Sequence, residues 1–291
     1  MKYHNIFGLL FLSITLFLGG CKKPKSDEIL IEIDNLRPLQ NSFYYSIWLM
    51  SGNDNTKAGS FQVNTNGSLT SNKFNLDPTI IKSASSVGCS IEANQSVTSP
   101  SSTFMLAGTF DGAEAVLTVA DNSALNNNFS SAEGIYITAT VTNAVGTTHE
   151  YSGIWWVTDI NGTAPGLTIP TLPNGFIYEA WIKINDTYVS TGRFSQASGP
   201  DMLSLYGDTL NPSFNYPGED LLQNAPAGLT FPINLKFKEL FVSVEYIDNV
   251  RDQPFLTVLY TSIPGDADFN APYAMDNVSD YLPTITVKRR K

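Results

Sequence analysis

The chain repeats itself, and that repetition constrains its fold more than any other feature. Residues 36–61 align without gaps with residues 169–194, at an offset of 133. Seven positions are identical: Leu39/Leu172, Asn41/Asn174, Phe43/Phe176, Tyr45/Tyr178, Trp48/Trp181, Gly59/Gly192 and Phe61/Phe194. The shared pattern is Phe-x-Tyr-x-x-Trp followed by Gly-x-Phe. A second block matches Ser90-Ile91-Glu92 to Ser243-Val244-Glu245, at an offset of 153. The second copy therefore carries extra loop residues between its blocks, and these include Ser198 to Gly218. Self-similarity on this scale marks one structural unit used twice.

Both copies read as β-structure. Apolar and acidic residues nearly alternate over Glu28 to Ile33. Further strands are expected at Ala113 to Val119, Ile135 to Val141, Phe237 to Tyr246 and Phe255 to Thr261. These runs are rich in Val, Ile, Thr, Tyr and Phe and are broken by Asn, Gly, Asp and Pro. No stretch keeps a helical period long enough for a stable helix. The expected fold class is all-β, with two tandem antiparallel β-sandwich domains of immunoglobulin-like type. Turn formers crowd at Asp159 to Gly166, which places repeat 1 at 29–158, a linker at 159–166 and repeat 2 at 167–291.

The N-terminus reads as an address rather than as structure. Lys2 precedes an apolar run from Ile6 to Leu18, the layout of a secretory signal over residues 1–20. The run closes in Leu18-Gly19-Gly20-Cys21, which resembles a bacterial lipobox. That resemblance implies lipidation of Cys21, an anchor of several acyl chains and an outer-membrane location, facing either the surface or the periplasm. A polar tether follows at 21–28. Its Ser26-Asp27-Glu28 group resembles the acidic export signal of surface lipoproteins. Without the signal, Cys89 is the single thiol, so an internal disulfide is excluded. Its setting, Val87 to Glu92, is that of a small buried hydrophobe in a strand.

The ordered set Tyr-x-x-Trp, Gly-x-Phe and a strand ending in Glu before a Pro-containing turn resembles the extracytoplasmic C-terminal domain of anti-sigma-K-type factors. The residues that carry it are Tyr45, Trp48, Gly59, Phe61, Glu92 and Pro100 in the first copy. In the second they are Tyr178, Trp181, Gly192, Phe194, Glu245 and Pro254. The resemblance implies a β-domain used for sensing or contact on the outer side of a membrane. It does not extend to the family's cytoplasmic helical domain or its membrane-spanning helix, and the chain has no Cys-x-x-Cys.

Charge and residue counts exclude several function classes. With 27 acids against 17 Lys and Arg the net charge is −10, which disfavours nucleic acid as a partner. Two histidines, His4 in the signal and His149, leave no Ser/His/Asp arrangement. No phosphate-binding glycine loop occurs, and no cofactor is expected. The candidate catalytic stock is the carboxylates Asp201, Glu219, Asp220, Asp266 and Asp268, which the pattern places in loops of repeat 2. Asp266-Ala267-Asp268, near Asn270 and Asp276, has the oxygen-rich composition of a calcium loop without the EF-hand spacing, and an acidic turn is favoured.

The repeat-motif residues are expected to be structural, with Trp48 and Trp181 in the core. Trp155-Trp156 are candidate ligand contacts, as a glycan-stacking surface, with glue between the two domains the favoured use. Adjacent strand residues point to opposite faces, so one indole is expected inward and the other toward solvent or the second domain. The resulting expectation is a lipid-anchored, non-enzymatic envelope protein that binds a protein or a glycan. The rival expectations are a signalling accessory contacting a membrane regulator and a carboxylate-based glycan hydrolase.

Overall fold

A computed structural model describes residues 27–40, 42–100, 103–142, 151–202, 205–207 and 215–290. Residues 1–20, expected to form a signal, Cys21 and His149 lie outside the described residues. The first eight strands are β1 (Asp27–Asp34), β2 (Tyr44–Ser51), β3 (Asp54–Phe61), β4 (Lys73–Leu76), β5 (Ser86–Glu92), β6 (Leu106–Thr109), β7 (Glu114–Leu117) and β8 (Glu133–Thr138). The next five are β9 (Gly153–Trp155), β10 (Leu167–Thr168), β11 (Phe176–Ile184), β12 (Thr187–Phe194) and β13 (Gly218–Asp220). The last five are β14 (Glu239–Tyr246), β15 (Leu256–Ser262), β16 (Tyr273–Ala274), β17 (Asp276–Asn277) and β18 (Thr284–Arg290). One short helix, α1 (Pro78–Ser83), is capped by the Asp77 carboxylate on the Thr79 amide. Among the described residues, no helix is long and apolar enough to cross a membrane.

All strand pairs are antiparallel, and the fold is all-β, with the strands in four sheets. Two of these carry the duplicated blocks: β3-β2-β5-β6 and β12-β11-β14-β15-β17. The local reasons are the same in both. A two-residue turn, Gly52-Asn53 or Asn185-Asp186, closes the hairpin, and its first residue has φ of 60° or 56°. A bulge then falls immediately before the tryptophan of each copy, between Ile47 and Trp48 and between Ala180 and Trp181. The glycine of Gly-x-Phe faces that bulge. A Cβ on Gly59 would lie 2.1 Å from the Phe74 ring, and one on Gly192 would lie 2.2 Å from the Asp201 carboxylate. Close approach therefore explains why both copies hold glycine there.

The remaining two sheets change the picture of two consecutive halves. Their orders are β4-β1-β18-β7 and β13-β9-β8, with β16 and β10 against β8. In chain order the copies match strand for strand: β1 with β9, β4 with β13, β7 with β16 and β8 with β18. The last strand of each copy, however, sits in the sheet of the other. β18 runs between β1 and β7, while β8 runs between β9 and β16. The two crossing connections meet at Asn277, whose amide donates to the carbonyls of Phe129 and Ala132 at 2.8 and 2.9 Å.

This reciprocal exchange corrects the division at 159–166. That interval is a loop bridged by Val157 and Pro165, and β9 of the second copy already precedes it. The range 167–291 also fails to describe one sandwich, because its last seven-residue strand completes the first. Asp27 and Glu28, expected to belong to a tether, are paired in β1.

One continuous apolar core joins both copies, from Ile29, Ile47 and Cys89 through Trp156 to Ile182, Val244 and Val287. Cys89 is wholly enclosed, and burial pushes its thiol up, so it packs as a hydrophobe. Polar contacts also cross between the copies. Arg251 Nη1 donates to the Pro38 carbonyl at 2.7 Å, Arg37 Nη1 donates to the Pro254 carbonyl at 3.2 Å, and Phe43 packs edge-on to Tyr246.

Candidate functional site

The residues singled out by the duplication form the same small machine twice. Tyr45 stacks on Phe61 with centroids 5.4 Å apart, and Tyr178 stacks on Phe194 at 5.9 Å. Each tyrosine hydroxyl donates to a carbonyl eight residues upstream, Arg37 at 2.7 Å and Pro170 at 2.6 Å. These bonds tie the chain entering each sheet to the sheet itself, the logic of a tyrosine corner. On the opposite faces, Trp48 Nε1 donates to Ser90 Oγ at 2.8 Å, and Ser90 donates to Glu92. Trp181 Nε1 donates to Ser243 Oγ at 3.0 Å, and Ser243 donates to Glu245. All six side chains of these relays are buried. A strand puts residues i and i+2 on one face, which is why Ser-x-Glu repeats as a unit. The serines are the members that residue type alone did not mark as functional, although the matched blocks contain them.

Glu245 also accepts the Phe255 amide at 2.7 Å, which pins the turn before β15. Beside it, Glu179 pairs with Arg193 at 3.0 Å where the first copy has the Ser46–Ser60 hydroxyl pair. Burial is the main cause that pushes Glu245 up to about 8, with Glu179's charge adding to it. Burial likewise pushes Glu219 up to about 7. An unfolded glutamate titrates near about 4.3, so the folded chain holds protons that the unfolded chain has released. Their stabilisation is complete below that value and is lost as pH rises through about 7 to 8. Glu245→Gln keeps the acceptor oxygen but cannot ionise. Stability from urea denaturation between pH 5 and 9 should fall for the wild type and fall less for the variant, in which Glu219 still titrates, a difference on the order of 4 kcal/mol. Parallel curves would show that Glu245 is ionised in the fold.

Three of the five candidate carboxylates, Asp201, Glu219 and Asp220, fasten neighbouring segments. Asp220 accepts the Thr142 amide and hydroxyl and Trp155 Nε1, at 2.6 to 2.8 Å. Glu219 accepts the Leu205 amide at 2.9 Å, and Asp201 accepts the Gly218 amide at 3.1 Å. Glu219 and Asp220 are also not loop residues: they form β13, and both are buried. Around Asp266 and Asp268, the Tyr273 hydroxyl contacts the Asp268 amide and Asn270 is tied to Thr138 by its backbone. Among the described residues, no group of three or more His, Cys, Asp or Glu side chains is placed to hold a metal ion.

Trp155 and Trp156 are corrected as ligand contacts. Alternation does send them to opposite faces, but both faces are covered. Trp156 is in the main core, while Trp155 is 2% exposed among Ile137, Ala139 and Val157. β8 and β13 flank β9 on either edge, and Val141, Ile160 and Tyr216 pack against the cluster that holds Trp155.

A different surface is open, and the two copies differ in it. In the first copy, the outer face of β3-β2-β5-β6 is capped by its own chain. The Phe104 ring lies on Gly88, and Val97, Ala107 and Ala124 close over Trp48 and Met50. In the second copy Phe241 stands where the first has Gly88. Phe241 contacts Tyr188 on one side and Tyr260 on the other, with centroids 5.5 and 5.2 Å apart. Beside these rings lies a cavity of about 210 Å³, bounded by Asn35, Arg37, Thr257 and Tyr281. Tyr281 is 74% exposed. A second hollow of about 310 Å³ lies between Tyr188 and the Asp252-Gln253 turn.

No protein-family model, curated protein or solved structure matches this chain.

Proposed function

We propose that the chain is a non-enzymatic binding protein of the bacterial envelope, held to a membrane by lipid on Cys21, with its ligand surface on the outer face of β12-β11-β14-β15-β17. The observation that carries the binding role is the contrast between the two outer faces. Among the described residues, that face is capped over Trp48 and Met50 in one copy, while in the other it is buried around Trp181, Ser243 and Glu245 and carries a groove beside Phe241 and Tyr260. A duplicated unit needs one copy for scaffold and frees the second for recognition. The motif glutamates, serines and tryptophans support this reading, since their polar groups are engaged with one another inside the protein. The likeness to anti-sigma-K-type domains contributes the β-scaffold to this proposal and nothing about a ligand.

The anchor rests on Leu18-Gly19-Gly20-Cys21 and is tested separately. Cells fed an alkyne-tagged palmitate should label the wild-type chain and leave Cys21→Ala unlabelled and released from the membrane fraction. Equal labelling of both would refute the anchor. Digestion of intact cells with an external protease then decides between surface and periplasm.

A further inference from the structure

We propose that the groove on the outer face of the second copy binds a neutral oligosaccharide, a specification that rests on the binding role argued above. Sugar rings present apolar C–H faces and hydroxyl-rich edges, so their sites join aromatic surface to planar polar side chains. The groove has both. Phe241 and Tyr260 form its floor, and the exposed Tyr281 ring stands at its edge. Thr257 also lines the cavity. Asn35 and Arg37, both exposed, reach the cavity from the segment after β1. The site is therefore built by both copies and exists only because they are locked together.

Size and charge narrow the ligand. The cavity of about 210 Å³ is smaller than the roughly 300–1,000 Å³ of drug-sized sites, which suits one sugar ring. The neighbouring hollow past Tyr188, edged by Asp186, Asp252 and Gln253, gives room for further units along the same aromatic row. Lys183 is paired with Glu239 at 3.6 Å, which leaves Arg37 at the first cavity against Asp186 and Asp252 at the second hollow. Acidic glycans and phosphates are repelled by that balance. A peptide added as a strand would need an open sheet edge, whereas this groove lies on a sheet face.

The test offers the full-length lipidated chain, in detergent micelles and detected by antibody, to an array of neutral and acidic oligosaccharides and to an immobilised peptide library. Retention on neutral glycans is expected. Tyr281→Ala and Arg37→Ala should each weaken it about tenfold, while Tyr281→Phe stays within about twofold. Tyr281 is exposed, so its variants should melt with the wild type and carry the test, whereas Arg37→Ala also loses the hydrogen bond to Pro254 and is read beside its own melting curve. The proposal is overturned if no neutral glycan is retained, if acidic glycans are preferred, or if the alanine variants bind as the wild type does. Peptide capture that Tyr281→Ala abolishes, with a blank array, would reassign the groove to peptides. The palmitate experiment reads the anchor alone, so a blank array with a labelled chain would remove the sugar and leave the envelope location standing.

Discussion

A chain that ends at Pro283 is expected to lose the folded state of the first copy, 250 residues away in sequence from the strand it disrupts. β18 pairs along seven positions with β1 and four with β7, so its removal splits a sheet through the middle. Ile285 and Val287 are both fully enclosed. Deleting a buried aliphatic side chain costs about 2–5 kcal/mol, and two together approach the roughly 5–15 kcal/mol that holds a whole domain. Because the core is continuous across both copies, the loss should spread to the second. The expected readout is a urea or thermal scan with no cooperative transition and a collapsed near-UV signal. A truncated chain that melts within a few degrees of the full one would show that β18 is dispensable. The exchange makes a companion prediction. Cutting the 159–166 loop should leave both pieces together on a sizing column in native buffer, and only denaturant should part them. Separation in native buffer would refute mutual completion by exchanged strands.

The second large effect is expected at the paired tryptophans. Trp48→Ala should destabilise by about 3–5 kcal/mol, because it opens a large cavity under Phe104 and Met50 and strips Ser90 of its donor. Trp48→Phe separates the two causes. It refills most of the volume and leaves the Ser90–Glu92 pair without the indole N–H, which should cost about 1–3 kcal/mol. Trp181, 2% exposed and bonded to Ser243, should behave in the same way. Urea denaturation of the four variants checks both statements. A loss below about 1 kcal/mol at either alanine would mean that the relay does not support its sheet.

Much of the candidate surface was not legible in the residues. Trp155-Trp156 carries the strongest aromatic signal for a ligand, yet both rings are inside. The groove is marked instead by Tyr188, Phe241, Tyr260 and Tyr281, which lie far apart in sequence and belong to no motif. Only the pairing of β12, β11, β14 and β15 brings the first three together. Gly88, which resembles any strand glycine, marks where the first copy admits Phe104 over its sheet.

By itself the sequence determined the β class, the duplication and the residues that repeat because each sheet needs them: Tyr on Phe, Gly at the bulge, and Trp through Ser to Glu. Those are short-range demands, written in alternation and in turn chemistry, and they read the same in either copy. The tertiary structure alone decided which strands complete which sheet, where the first copy ends, and which outer face stays open. Alternation assigns a side chain to a face, but backbone ladder bonds are the same for every partner. β8 and β18 can therefore satisfy either sheet by their own patterns. Their destinations are settled by the crossing connections joined at Asn277 and by the core shared across both copies.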